Sequence, residues 1–317
     1  MAKCIDSREG NGWIAYQGDC VDVTPGFPDE SIGYSIFSPP FASLYTYSDS
    51  PRDMGNSTDY GEFWSHFRFL IPELYRVTMP GRLCSVHCMN LPTTIQHHGQ
   101  IGIQDFRGDI IRAFVAADWI YHSEVCIWKD PVTAMQRTKA LGLLHKQVVK
   151  DSCMSRMGIP DYVCTFRKAG FNPRPVHGKL TRFVGDQNTF RHEGNLSIDI
   201  WQRYASPIWS DINPSRTLQY RSARDNRDER HICPLQLDVI ERCIDLWSLE
   251  DDVVLSPFMG IGSEGYVSLC RRRKFFGIEL KKSYFDVACR NLEAAVKLSK
   301  QPTLFNHMEE QKTEATA

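Results

Sequence analysis

The sequence predicts an α/β fold built on a doubly wound, mostly parallel sheet, with a basic insertion, and three observations lead there. Short strand-forming runs alternate with amphipathic helical segments through most of the 317 residues. The run Ile32 to Phe37 halts at Ser38-Pro39-Pro40-Phe41. Two consecutive prolines cannot continue a sheet ladder, since each lacks an N–H and has its φ fixed. Near the other end, Val253-Val254-Leu255 leads through Ser256-Pro257-Phe258-Met259-Gly260-Ile261-Gly262 into a helix and a second strand, Phe275 to Ile278, that closes on Glu279.

Taken in order, residues 1 to 12 are polar and are expected to be irregular, and Trp13 to Tyr16 reads as a strand ending at Gly18-Asp19. Two readings are open for Asp19: a turn or helix cap, or an acid presented to a ligand at a strand end. Thr24 to Glu30 is a turn before the strand that delivers Ser38. Tyr45 to Ser57, rich in Ser, Asp, Pro and Gly, is expected to be a long loop. Asp59 to Val77 has helical apolar spacing at Phe63, Phe67, Leu70 and Leu74, and Met79-Pro80-Gly81-Arg82 ends it. Leu83 to Met89 is a strand, Asp105 to Ala117 a helix and Trp119 to Trp128 a strand.

Asp130 to Pro160 is basic and helix-like, and Tyr162 to Phe166 is a strand that returns to the sheet. Phe171 to Ser206 has little apolar periodicity. Cys233 to Trp247 reads as an amphipathic helix with Pro234 in its first turn, and Tyr284 to Leu298 as the last helix. The expected organisation is therefore residues 13–130, an insertion over 131–206, a second half over 207–298, and a polar tail over 299–317 expected to be disordered.

Formal net charge is −1, so the chain as a whole has no field that would draw it to nucleic acid. Charge is segregated instead. Arg137, Lys139, Lys146, Arg174, Lys179 and Arg182 lie in a basic stretch that ends at Arg191, and a second basic run covers Arg216 to Arg230. The chain has 11 cysteines, scattered through apolar segments, and no signal-peptide pattern at its start, which points to reduced thiols in a cytosol. Cys84-Ser85-Val86-His87-Cys88 lacks a second ligand pair at finger spacing, so no metal is expected, and His87 is expected to be a turn or core residue. No apolar run reaches the roughly 20 residues a membrane span needs, so no membrane partner is expected.

The chemistry lies at the two strand ends. Ser38 offers a side-chain oxygen, the prolines offer free carbonyls and Phe41 a flat apolar face, a corner suited to an exocyclic amine on a planar ring. Strand, Gly-x-Gly, helix and acid-tipped strand form the arrangement by which doubly wound domains take an adenosine group. No Lys-Ser or Lys-Thr pair follows the glycines, which argues against a phosphate loop.

Ser-Pro-Pro-Phe early in the chain with Ser-Pro-Phe-x-Gly-x-Gly late in it resembles the β-group amino-DNA methyltransferases over Trp13 to Leu298. The resemblance implies a Rossmann-like S-adenosylmethionine-dependent fold, S-adenosyl-L-methionine as cofactor and double-stranded DNA as partner. It also implies a catalytic motif at Ser38, Pro39, Pro40 and Phe41, with cofactor contacts from Asp19, Ser256, Phe258, Gly260, Gly262 and Glu279. DNA contacts are expected from Arg137, Lys139, Lys146, Arg174, Lys179 and Arg182. The family's cofactor loop usually starts with Asp where this chain has Ser256. A serine before Pro-Pro is the more typical N4-cytosine form, with N6-adenine the alternative. A cognate restriction endonuclease is compatible with the family and so is its absence. A catalytically silent nucleic-acid-binding protein, or an enzyme acting on RNA or protein amines, would share the fold.

Overall fold

A computed structural model describes residues 3–41, 53–56, 60–138, 142–182, 191–192, 195–219 and 234–299. The expected loop after Phe41, the second basic run beyond residue 219 and the polar tail from residue 300 lie largely outside the described residues.

In chain order the strands are β1 (Asp6–Gly10), β2 (Trp13–Gln17), β3 (Ile32–Phe37), β4 (Thr78–Met89), β5 (Leu91–Thr93), β6 (Gly102–Gln104) and β7 (Ile120–Ile127). They continue as β8 (Asp161–Arg167), β9 (Lys179–Thr181), β10 (Arg191–His192), β11 (Asn195–Ser197), β12 (Ile208–Trp209), β13 (Val253–Ser256) and β14 (Lys274–Glu279). The helices are α1 (Cys20–Val23), α2 (Tyr60–Val77), α3 (Ile95–His98), α4 (Phe106–Val115), α5 (Pro131–Thr138), α6 (His145–Lys150), α7 (Ile198–Tyr204), α8 (Leu237–Trp247), α9 (Ser263–Cys270) and α10 (Lys282–Ser299).

The main sheet has the order β1-β2-β14-β13-β3-β4-β8-β7-β12. The pairs from β2 through β14, β13 and β3 to β4 are parallel, as is β7 with β12, while β1/β2, β4/β8 and β8/β7 are antiparallel. From β3 the chain crosses through α2 to β4 on one side; from β13 it crosses through α9 to β14 on the other. The C-terminal ends of β3 and β13 are thus neighbours at the point where the winding reverses. Open α/β sheets bind their ligands at such a point.

Central position explains the strand sequences. All six residues of β3 are buried, as expected for a strand covered on both faces. On one face α2 and α4 pack Phe63, Phe67, Phe106 and Phe114 against Phe37 and Phe166, and the Phe114 and Phe166 rings stack with centroids 4.2 Å apart. Full burial of each such ring stabilises the fold by about 2–3 kcal/mol. On the other face α8, α9 and α10 cover Tyr34, Ile36, Val254 and Phe275.

Arg82, only 1% exposed, pairs with buried Asp252 and donates to the Gly33 carbonyl at 2.8 Å and the Arg174 carbonyl at 2.9 Å. This clasp ties β4, β3 and the approach to β13 together. Gly33 has to be glycine, because a Cβ there would lie 2.8 Å from the Asp252 carboxyl carbon.

Three expectations need correction. Residues 6–10 are not irregular: β1 forms a hairpin with β2 across Asn11-Gly12, with Gly12 at φ +82°. Asn-Gly is a strong hairpin signal, and it compensates for the absence of apolar alternation in β1. Helix α8 starts at Leu237 with Gln236 as its N-cap, so Pro234 precedes it and is not in its first turn. Helix α2 does end before Met79-Pro80-Gly81-Arg82, at Val77, but β4 starts at Thr78 and takes in these four residues, earlier than the expected Leu83, and the β3/β4 register shifts between Ile32 and Tyr34. Segment 131–206 contributes β8 to the main sheet and carries α5, α6, α7 and a separate β10-β11-β9 sheet.

Candidate active site

At the end of β3, Ser38 is half-buried and its Oγ lies 3.1 Å from His87 Nδ1 on β4. Behind His87, Nε2 is 3.2 Å from Asp161 Oδ2, and the other Asp161 oxygen accepts from Lys129 Nζ at 2.5 Å. Burial by itself would push the Asp161 carboxyl up, but Lys129 and His87 outweigh it and hold the carboxyl down at about 2. Phe41 packs its ring 6.2 Å from His87 and edge-on to Phe106 at 6.1 Å.

At the neighbouring strand end, the turn after β13 uses Gly260 at φ +54° and Gly262 at φ +85°, a region that penalises any side chain. Glu279 closes this turn. One of its oxygens accepts from the Gly260 N–H at 2.9 Å and the other from the Lys281 N–H at 2.8 Å. Phe258 stacks on Phe67 at 6.2 Å and leans on Phe37. Asp19 caps α1 by accepting from the Val21 N–H at 3.0 Å, so the capping reading and a place on the cleft hold together.

One cleft spans both ends. Ser38, Pro39, Pro40 and Phe41 line it on one side, and Asp19, Phe258, Gly260 and Glu279 on the other. Asp53, Glu264, Lys281 and Tyr284 also line it, and sequence reasoning had not singled these out. Burial, then the charge of Glu279, pushes Glu264 up to about 8; burial, opposed by its backbone donors and reinforced by Asp53, pushes Glu279 up to about 7. Four carboxyl groups around an apolar wall suit a cationic ligand that carries a flat ring.

Two expected cofactor residues fall outside the cleft lining. Ser256 is fully buried within the sheet, and Gly262 serves helix packing, since a Cβ there would meet Ala288 Cβ at 3.2 Å. Among the expected DNA contacts, Lys146, Lys179 and Arg182 are exposed on segment 131–206. Arg174 is turned partly inward, 3.4 Å from buried Asp252, so structure already uses part of its charge. The Arg137 side chain and all of Lys139 lie outside the described residues. His87, Asp161 and Lys129 were missed as a group, because nothing in their local sequence links them.

A doubly wound sheet with an acid-lined cleft at its winding reversal defines a protein that binds a nucleoside-type cofactor. The chain belongs to the DNA methylase family of N6/N4 type, whose model matches residues 34–290 and whose methyl donor is S-adenosyl-L-methionine. It is 38% identical over 277 residues to the orphan methyltransferase M.BamHII of Bacillus amyloliquefaciens, covering 86% of this chain and 93% of that protein. The matched region spans only 22% of the type II methyltransferase M.BglII of Bacillus subtilis and 54% of M.BamHI of Bacillus amyloliquefaciens. Among solved structures, a protein of Thermus thermophilus named as a DNA modification methylase superposes with TM-score 0.63 at 19% identity, over 89% of this chain and 95% of that one. The PvuII DNA methyltransferase, described as cytosine-N4-specific, superposes with TM-score 0.61 at 16% identity, over 91% of each chain. At those identities the two structures establish a shared fold.

Proposed function

We propose that this protein methylates the exocyclic amine of a base flipped out of double-stranded DNA, and that the acceptor is N4 of cytosine. The observation that carries this reading is the cleft that holds Ser38 to Phe41 opposite Gly260 and Glu279. The amine of cytosine or adenine is a poor nucleophile, because its lone pair is delocalised into the ring. With Ser38 Oγ and the Pro39 carbonyl accepting its two hydrogens, the nitrogen is biased toward sp3 and its lone pair is aimed. Phe41 gives the extruded base a face to stack on.

S-adenosyl-L-methionine supplies an electrophilic methyl on a sulfonium centre when bound. Glu279 would hold its ribose and Asp19 its adenine, with Phe258 over the adenine or methionine region and Gly260 beside them. No covalent enzyme adduct is required. Burial pushes the Cys84 and Cys88 thiols up, the reverse of what a thiolate nucleophile needs.

Segment 131–206 is proposed as the target-recognition unit, with Lys146, Lys179 and Arg182 on phosphates. Exposed Val149, Met157 and Phe171 offer it an apolar contact surface as well. Among the described residues no helix is long and apolar enough to cross a membrane. We place the protein in the cytoplasm with its DNA. Relatives bear both type II and orphan names, so a partner nuclease is compatible and not required.

Serine ahead of Pro-Pro supports cytosine by likeness to N4-cytosine enzymes. The test is transfer of labelled methyl from S-adenosyl-L-methionine to duplex DNA, compared with RNA and protein, followed by mass spectrometry of the nucleosides. N4-methylcytosine is expected. N6-methyladenine alone would overturn the base assignment, and label confined to RNA or protein would overturn DNA as substrate.

A further inference from the structure

A hydroxyl is both donor and acceptor, whereas an amine about to react needs an acceptor only. If the Ser38 proton pointed into the cleft it would meet the hydrogens of the amine. Some other group has to take that proton. His87 Nδ1 stands 3.1 Å from Ser38 Oγ, and the ring is 7% exposed, with its other nitrogen 3.2 Å from a carboxylate that is 2% exposed. The Asp161 carboxylate lies off the line of a ring N–H hydrogen bond, but its negative charge 3.2 Å from Nε2 favours the tautomer protonated there, which leaves Nδ1 bare as an acceptor.

The row continues across the sheet. Ser38 follows β3, His87 lies on β4, Asp161 opens β8, and Lys129, just beyond β7, reaches solvent with 28% of its side chain exposed. Strand register makes the row possible, since Met89 and Ile127 both pair with Asp161, and His87 pairs with Val163. The groups that face the imidazole are therefore Ser38 from the β3 end, Asp161 from β8 with Lys129 behind it, and the Phe41 ring.

We propose that His87 is a positioning residue for methyl transfer: it holds the Ser38 hydroxyl as an acceptor toward the amine and takes the proton that the reaction sheds. This inference rests on the reading of Ser38 given above. The amine nitrogen bonds to the methyl carbon as that carbon's bond to sulfur breaks, and sulfur keeps the bonding pair. One N–H proton passes to Ser38 Oγ while the hydroxyl proton passes to His87 Nδ1. The products are a neutral methylated amine, a neutral thioether and an imidazolium beside the Asp161 carboxylate, which returns its proton to solvent.

The first test needs no cofactor. Side-chain 15N NMR of the free wild-type protein at neutral pH should show His87 protonated on Nε2 and bare at Nδ1, with the Nδ1 signal moving in Ser38→Ala. A proton resident on Nδ1 overturns the inference. The second test is single-turnover transfer by His87→Asn, whose side chain can accept from Ser38 but cannot take up a proton. The rate should fall about 100-fold, the lower end of the range for positioned acid–base groups. Cofactor and DNA affinity should stay at wild-type values, and the acid-side fall of the wild-type rate profile should disappear. An unchanged rate and profile in His87→Asn, with Ser38→Ala inert, overturns the role of His87 and leaves the Ser38 reading standing. A wild type that transfers no methyl to DNA overturns the Ser38 reading itself.

Discussion

The two strand ends that face each other across the cleft are held in place by different means. At the β13/β14 end, Glu279 is fixed by backbone N–H groups, one of them 19 residues away at Gly260 and the other two residues away at Lys281. At the β3 end, Ser38 is fixed by a side chain 49 residues away, which is fixed in turn by Asp161 and Lys129. Backbone donors suit a site that only has to bind, because they neither titrate nor change rotamer. A side-chain row suits a site that has to move a proton. Under the proposed function, the difference makes binding and chemistry separable, although they share one cleft.

Ser38→Ala tests that separation most severely. Methyl transfer should fall by about 10²- to 10³-fold, the usual cost of one positioned hydrogen-bonding group in a transition state. Titration calorimetry should find cofactor affinity unchanged; a parallel loss of affinity would mean that the two ends are not independent. The mirror experiment is Glu279→Gln, which keeps one acceptor for the turn but loses the charge. Cofactor affinity should drop about 10-fold or more, as for a hydrogen bond to a charged group, while transfer at saturating cofactor stays near wild type.

The carboxyls sharpen the contrast through pH. Glu264 and Glu279 titrate at about 8 and about 7 in the folded protein, above their ordinary value, so between roughly pH 4.5 and 8 the folded state binds more protons than the unfolded one. Stability of the cofactor-free protein is then highest at the acid side of that window and falls as pH rises through it, by at most about 1.4 kcal/mol per pH unit per group. Thermal melts from pH 5 to 8 should show this fall, and Glu264→Gln should flatten it. Asp161 has the opposite sign: its carboxyl is held at about 2, and the stability this contributes is lost only below about pH 4. A melt that rises with pH from 5 to 8 in the wild type would remove the acid cleft as a strained site.

Alanine at Lys146, Lys179 and Arg182 together should have the smallest effect. DNA binding should weaken, and the slope of log K against log salt should shrink by about 0.9 for each phosphate that is no longer neutralised. Transfer at saturating DNA should not change. A preserved salt slope would assign those charges to the solvated surface.

The sheet was legible because its signals are local. Fully buried β3, the amphipathic α2 and the Gly260-to-Glu279 unit each declare themselves within one window of sequence. The cleft was legible in part, through the two strand-end motifs. Glu264 was not, since an acid in the first turn of α9 looks like a favourable charge at a helix start, and only packing shows that it is buried in the cleft. Ser256 and Gly262 went the other way: their motif implied cofactor contacts, and the structure has the first inside the sheet and the second against α10.

The sequence by itself determined the central strands and main helices, the two stopping points at Ser38 and Gly260, and the order in which they come, because proline, glycine and apolar period act over a few residues. The tertiary structure alone decided that these ends share one cleft and that His87 stands behind Ser38. It also decided that Asp161 and Lys129 stand behind His87. Those neighbours are set by the register of β4 on β8 and of β8 on β7, and register follows from the packing of whole faces.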